Sequence, residues 1–232
     1  QKGKIIVDKV TDPSDSSQLF EFDPSWSGTN FFLTDNQTAE DSGWLTPGAY
    51  SVAEVSIPDG WALISATTDD DDSSSPATIT LDPGETVTAT FTDQQKGKII
   101  VDKVTDPSDS SQPFEFDPSW SETNFFLTDN QTAEDSGWLV PGNYTVNETV
   151  PAGWTLTTVT KDGNAFTNGG TIALGAGETV NIVFTDTQKG KIIVDKVTDP
   201  TGSTVDFTFT PTGTGYTPPF DLADATTPKD SG

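Results

Sequence analysis

QKGKIIVDKVTD occupies residues 1–12, recurs at 95–106 and recurs again at 188–199, so the chain of 232 residues reads as repeated units. Lys9 is followed by Lys103 after 94 residues and by Lys196 after a further 93. The expected organisation is a first repeat over 1–94, a second over 95–187, and the first half of a third over 188–232. Inside the stretch, apolar and polar residues alternate, which is the pattern of a half-buried strand. Its alternation places Ile5, Val7 and Lys9 on one face. The same stretch holds nine of the eleven lysines, in a chain without arginine and with 36 acidic residues.

Outward from this strand, the first repeat continues as short alternating segments: Phe20–Phe22, Asn30–Thr34, Ala49–Ser56, Trp61–Thr67, Ala77–Leu81 and Thr86–Asp93. With Lys4–Val10 they make about seven strands, separated by Pro, Gly, Asn and Asp clusters that supply the fixed or positive φ of tight turns. No helical period of apolar residues interrupts them. The fold class predicted is all-β: tandem immunoglobulin-like antiparallel sandwiches. Trp26, Trp44 and Trp61, with Trp120, Trp138 and Trp154, are expected to fill the cores and their ends. The joint Phe91-Thr-Asp-Gln-Gln-Lys-Gly-Lys98 runs one unit almost directly into the next, which predicts a rod of stacked units.

The first 45 residues of repeats 1 and 2 differ only at Leu19 against Pro113 and Gly28 against Glu122. The second halves diverge, and the acidic run Asp69–Asp72 is confined to the first.

Composition excludes several functions. Histidine, cysteine and methionine are all absent, so no disulfide, zinc or haem site, thiol nucleophile or ordinary catalytic triad can be built. A conventional enzyme and a cofactor are not expected. The net charge of −25 opposes nucleic acid and anionic membrane surfaces as partners. No run approaches the length of a membrane-spanning helix. Lack of an initiator methionine and leader, with Ser, Thr, Asp and Gly richness, is read as a mature or excised segment of an extracellular protein.

Two more strands place ionisable residues on apolar faces. Tyr50, Val52 and Glu54 share one face, as do Val87, Ala89, Phe91 and Asp93. The second repeat repeats this with Ile99, Val101, Lys103; Tyr144, Val146, Glu148; and Val180, Ile182, Phe184, Asp186. Buried apart, such charges cost several kcal/mol each. Buried together they can react, because burial disfavours charged forms, by up to ~3–5 pK units when complete. A neutral Lys9 amine is a nucleophile and a protonated Asp93 carboxyl is an electrophile. Glu54 would relay protons, and the product is an amide with loss of water.

GKIIVDKV, then YSVAEVSIPDGW or YTVNETVPAGW, then GETVTATFTD or GETVNIVFTD, resembles the Cna B-type, or SpaA-like prealbumin-fold, domains of surface proteins and pilins. The resemblance covers essentially all of both complete repeats. It implies an intramolecular isopeptide bond from a first-strand lysine to an acceptor on the last strand, promoted by a glutamate. By position these are Lys9, Glu54 and Asp93, then Lys103, Glu148 and Asp186. Many members carry Asn at the acceptor position, and Asp also serves. Lys196 has the lysine's place, but its glutamate and acceptor would lie beyond Gly232. The third repeat is therefore expected to continue in a longer chain or to be completed by another molecule.

Asn36, Asn130, Asn143 and Asn147 lie in N-x-T sequons, open to glycosylation in a suitable host. Asp69–Asp72 lacks the ligand order of a calcium loop and reads as a solvated acidic loop. The function expected is structural: a segment of an extracellular fibre, filament or cell-surface stalk, whose partners are neighbouring repeats and other copies in a filament. The alternative is an adhesin binding a glycan or protein ligand, and a third reading is a calcium-hardened surface layer.

Overall fold

The computed structural model describes residues 1–212 and 218–231, and none of these lies in a helix. In the first repeat the strands are β1 (Lys4–Asp12), β2 (Phe20–Pro24), β3 (Phe31–Leu33), β4 (Glu40–Asp41), β5 (Gly48–Tyr50), β6 (Val52–Val55), β7 (Trp61–Thr68), β8 (Ile79–Leu81) and β9 (Thr86–Gln95). One sheet runs β4-β1-β9-β7; facing it are β3-β2-β6 and the pair β5-β8. Alternation explains the core: Ile5, Val7, Val87, Ala89 and Phe91 from the first sheet meet Phe20, Phe22, Leu33 and Val52 from the second.

The second repeat follows the same plan with β10 (Lys98–Asp106), β11 (Phe114–Pro118), β12 (Phe125–Leu127), β13 (Glu134–Asp135), β14 (Gly142–Tyr144), β15 (Val146–Thr149), β16 (Trp154–Lys161), β17 (Asn164–Phe166), β18 (Ile172–Leu174) and β19 (Thr179–Gln188). Here β17 adds a fifth strand, giving β13-β10-β19-β16-β17. It folds back on β16 through Asp162 and Gly163, both at positive φ, as a two-residue hairpin turn requires. In the third repeat, β20 (Ile193–Val194) pairs with β23 (Lys229–Asp230), and β21 (Phe207–Phe209) with β22 (Phe220–Leu222).

Three details depart from the sequence expectation. The sandwich is not wholly antiparallel: β1 and β9 run parallel, as do β10 and β19. The segment 49–56 is two strands, because the chain passes at Ser51 from β5, paired with β8, to β6, paired with β2. Four tryptophans meet the core, with Trp61 and Trp154 buried and Trp26 and Trp120 packed at its edge, whereas Trp44 and Trp138 are 62% and 49% exposed. Those two rings instead carry the Lys4 and Lys98 ammonium groups, 4.8 and 4.7 Å from their centroids.

The turn after each first strand is locked by one aspartate. Thr11 Oγ1 and the Asp15 N–H both donate to Asp35 Oδ2, and Thr105 and Asp109 do the same to Asp129. Thr198 donates equally to Asp224 in the third repeat. These clips anchor the strand that carries each central lysine.

Candidate crosslinking site

In the first repeat Lys9 and Asp93 project from neighbouring strands of one sheet, and Glu54 projects from the other sheet, where it stands opposite Phe22. Lys9 Nζ is 2.5 Å from Asp93 Oδ2 and 3.7 Å from Glu54 Oε1, and all three side chains are fully buried. The amine also donates to the Val10 and Phe91 carbonyls, and lies 4.1 Å from the Phe20 ring centroid. The second repeat builds the same cluster. Lys103 Nζ is 2.6 Å from Asp186 Oδ2 and 3.3 Å from Glu148 Oε1, over the Phe114 ring.

Each cluster places one lysine against two carboxyl groups in a dry interior. The mismatch makes the glutamate hold its proton to a higher pH than usual. Glu54 is pushed up to about 8, first by burial and then by the Asp93 carboxyl beside it, while Lys9 pulls it down. Glu148 is pushed up to about 7 by burial, with Lys103 opposing and Asp186 adding to the rise. A protonated glutamate beside an amine and a carboxyl is equipped to move protons between them.

Hydrogen bonding within the clusters is incomplete. The Oε1 atoms of Glu54 and Glu148 meet their lysines at ion-pair distance without a well-aligned hydrogen bond, and Glu54 Oε2, Glu148 Oε2, Asp93 Oδ1 and Asp186 Oδ1 have no such bond either. Each such atom costs about 1–3 kcal/mol when buried. Joining lysine to aspartate as an amide would remove two charges from the interior at once.

Other candidate residues fall elsewhere. Lys196 donates to the Val197 carbonyl and sits over the Phe207 ring, and among the described residues no carboxylate stands within ion-pair distance of it. Asn36, Asn130, Asn143 and Asn147 are all exposed. The run Asp69–Asp72 works as a backbone clip. Asp70 accepts from the Thr80 and Asp72 N–H groups, and Asp69 from the Thr88 N–H. Among the described residues no group of three acidic side chains is arranged to hold a metal ion, and no helix is long and apolar enough to cross a membrane.

One residue near the site has no signal in the alternation. Asn168, in the connection between β17 and β18, donates through Nδ2 to the Glu148 carbonyl and accepts through Oδ1 from the Glu148 N–H, at 2.9 and 2.7 Å. Its only sequence cue is the turn-forming Asn-Gly-Gly in which it sits.

Fold and site together define a class: β-sandwich repeats, the first and the second each enclosing a lysine, a glutamate and an aspartate. No protein-family model matches the chain, and no curated protein matches it in sequence. Among solved structures it is similar to the Bacillus anthracis TIE protein, at 20% identity over 89% of this chain and 38% of that one, with a TM-score of 0.37. It is similar to the major pilin protein T-13 of Streptococcus pyogenes, at 14% identity over 82% of this chain and 97% of that one, TM-score 0.38. The pilus adhesin SpaC of Lactobacillus rhamnosus GG gives 18% identity over 80% of this chain and 31% of that one, TM-score 0.29. The chain thus spans less than two fifths of the TIE and SpaC chains. The sandwich architecture itself rests on the strand pairing described above.

Proposed function

We propose that the chain is a load-bearing segment of an extracellular fibre or stalk, in which Lys9–Asp93 and Lys103–Asp186 become intramolecular amide bonds. The observation that carries this reading is the fully buried contact of Lys9 Nζ with Asp93 Oδ2, with Glu54 completing the cluster, and its repetition around Lys103. The reaction balances without a co-reactant. Ammonium and carboxylate lose one water as the Nζ–Cγ bond forms and a Cγ–O bond of the aspartate breaks. The ammonium first passes one proton to the aspartate oxygen that it touches, leaving a neutral amine and a carboxylic acid. After the amine attacks Cγ, Glu54 or Glu148 gives the departing hydroxyl its second proton and recovers one from the nitrogen.

The bond would close a ring of about 85 residues, worth ~4–5 kcal/mol if the chain-entropy estimate for disulfides transfers. Its mechanical effect is larger. Tension arriving at Lys9 would pass through the amide to Asp93 and on along 94–102 to Lys103, leaving the folded repeat unloaded. Intact-mass measurement of the purified chain tests the reading. A mass two waters below that of the sequence is expected, and the full sequence mass would overturn it.

A further inference from the structure

The two clusters are not equivalent, and one side chain found only in the second holds the backbone of its glutamate. At β15 the N–H and C=O of Glu148 face away from the β11 partner, toward the sheet edge, and the Asn168 carboxamide meets both. One planar group therefore does at this residue what a neighbouring strand would do, and fixes the backbone from which the Glu148 side chain enters the core. The loop bearing it is itself docked, since the Gly169 N–H donates to the Val146 carbonyl. In the first repeat that edge is held two residues earlier, by the Val52 N–H donating to the Pro76 carbonyl. Among the described residues no side-chain amide clamps Glu54. The glutamates sit accordingly: Glu148 Oε1 is 3.3 Å from its lysine and Glu54 Oε1 is 3.7 Å from its own.

We infer that Asn168 is a positioning residue for Glu148, and that through it the second repeat closes its amide faster than the first. The inference rests on the amide reading above and adds to it a chain-specific control of rate. Proton transfer falls steeply as the donor moves off line, and a misplacement of about 1 Å can cost ~100-fold, so a few tenths of an ångström correspond to about tenfold. The β16–β17 hairpin, which the first repeat lacks, acquires a purpose in this light: it delivers the connection that carries Asn168.

The test uses the full chain made by cell-free synthesis, sampled over time, stopped with acid and digested. Mass spectrometry then reads the Lys9–Asp93 and Lys103–Asp186 crosslinks separately in the same sample. In the unaltered chain at pH 6, below the decline of either repeat, the second repeat should close about tenfold sooner. Asn168→Ala should erase that lead and leave the first repeat unchanged as an internal control. Asn168→Asp, which still accepts from the Glu148 N–H but cannot donate to its carbonyl, should fall between.

A change that merely loosened the fold would slow the second repeat equally at every pH. Loss of positioning should instead also move the pH at which its rate declines. Should Asn168→Ala not fold, Asn168→Asp and Asn168→Ser make the same comparison. Closure of the second repeat in these variants at the unaltered rate and pH profile overturns the role of Asn168 while leaving the amide reading intact. An unaltered chain that loses no water overturns both.

Discussion

Lys9 and Asp93 are not opposite each other: in the parallel register Lys9 stands beside Phe91, and Asp93 beside Thr11. Even so, Lys9 Nζ and Asp93 Oδ2 are 2.5 Å apart. Two strand residues span about 6.6 Å, a distance that a four-carbon stem lying along the sheet can cover. Lys9→Met keeps most of the stem and removes the amine. The first repeat should then lose no water, and intact mass should be one water short. With Asp93 left buried without its cation, unfolding by denaturant should come about 3–5 kcal/mol more easily than for the same repeat before its bond forms.

Glu54→Gln preserves size and burial but cannot exchange a proton with both neighbours. The expected product is a chain one water short, with the remaining crosslink mapped to Lys103–Asp186. Equal crosslinking of both repeats in this variant would remove Glu54 from the reaction.

The raised glutamates set a pH dependence. Crosslinking uses the protonated carboxyl, so its rate should hold at low pH and decline through about 7 in the second repeat and about 8 in the first. Before the bond forms, stability follows the same protons. Each folded-state value lies above the ordinary 4.5, so folding takes up a proton between 4.5 and about 8 at Glu54, and between 4.5 and about 7 at Glu148. The stabilisation is complete below 4.5 and is lost as pH rises through those windows. Cell-free synthesis at a series of pH values, read as the fraction of each repeat crosslinked, checks the first expectation.

Asp70 already gives both carboxylate oxygens to backbone N–H groups, of Thr80 and Asp72. Calcium should therefore leave the melting temperature where it is, and chelators should not lower it. Asp70→Ala should cost about 1–3 kcal/mol by leaving the partly buried Thr80 N–H unpaired. A melting shift on adding calcium would restore the surface-layer reading.

Much of the site was legible because alternation is local. Ile5-x-Val7-x-Lys9 and Val87-x-Ala89-x-Phe91-x-Asp93 need only a straight strand to turn their ends inward. Tyr50-x-Val52-x-Glu54 kept its face although the strand breaks at Ser51, since the chain changes partner there without changing parity. Partner choice was not legible. Parallel pairing of β1 with β9 joins segments at opposite ends of the repeat, and nothing within either segment distinguishes a parallel neighbour from an antiparallel one.

Trp44 and Trp138 misled because bulk alone suggests a core residue, whereas an indole face can also carry a lysine at the surface. Asn168 was invisible for a different reason. A side chain that bonds to a backbone 20 residues away leaves no periodic trace.

Lys9 and Asp93 lie close to the two ends of their repeat, so almost every exposed loop of that repeat falls between them. If they are joined as proposed, a protease that cut within Asp69–Asp72 would open the chain without dividing it. Both pieces would stay on one molecule, held by the amide and by the strand pairing around it. A surface fibre built this way could be nicked once within each such ring and still not shed a fragment.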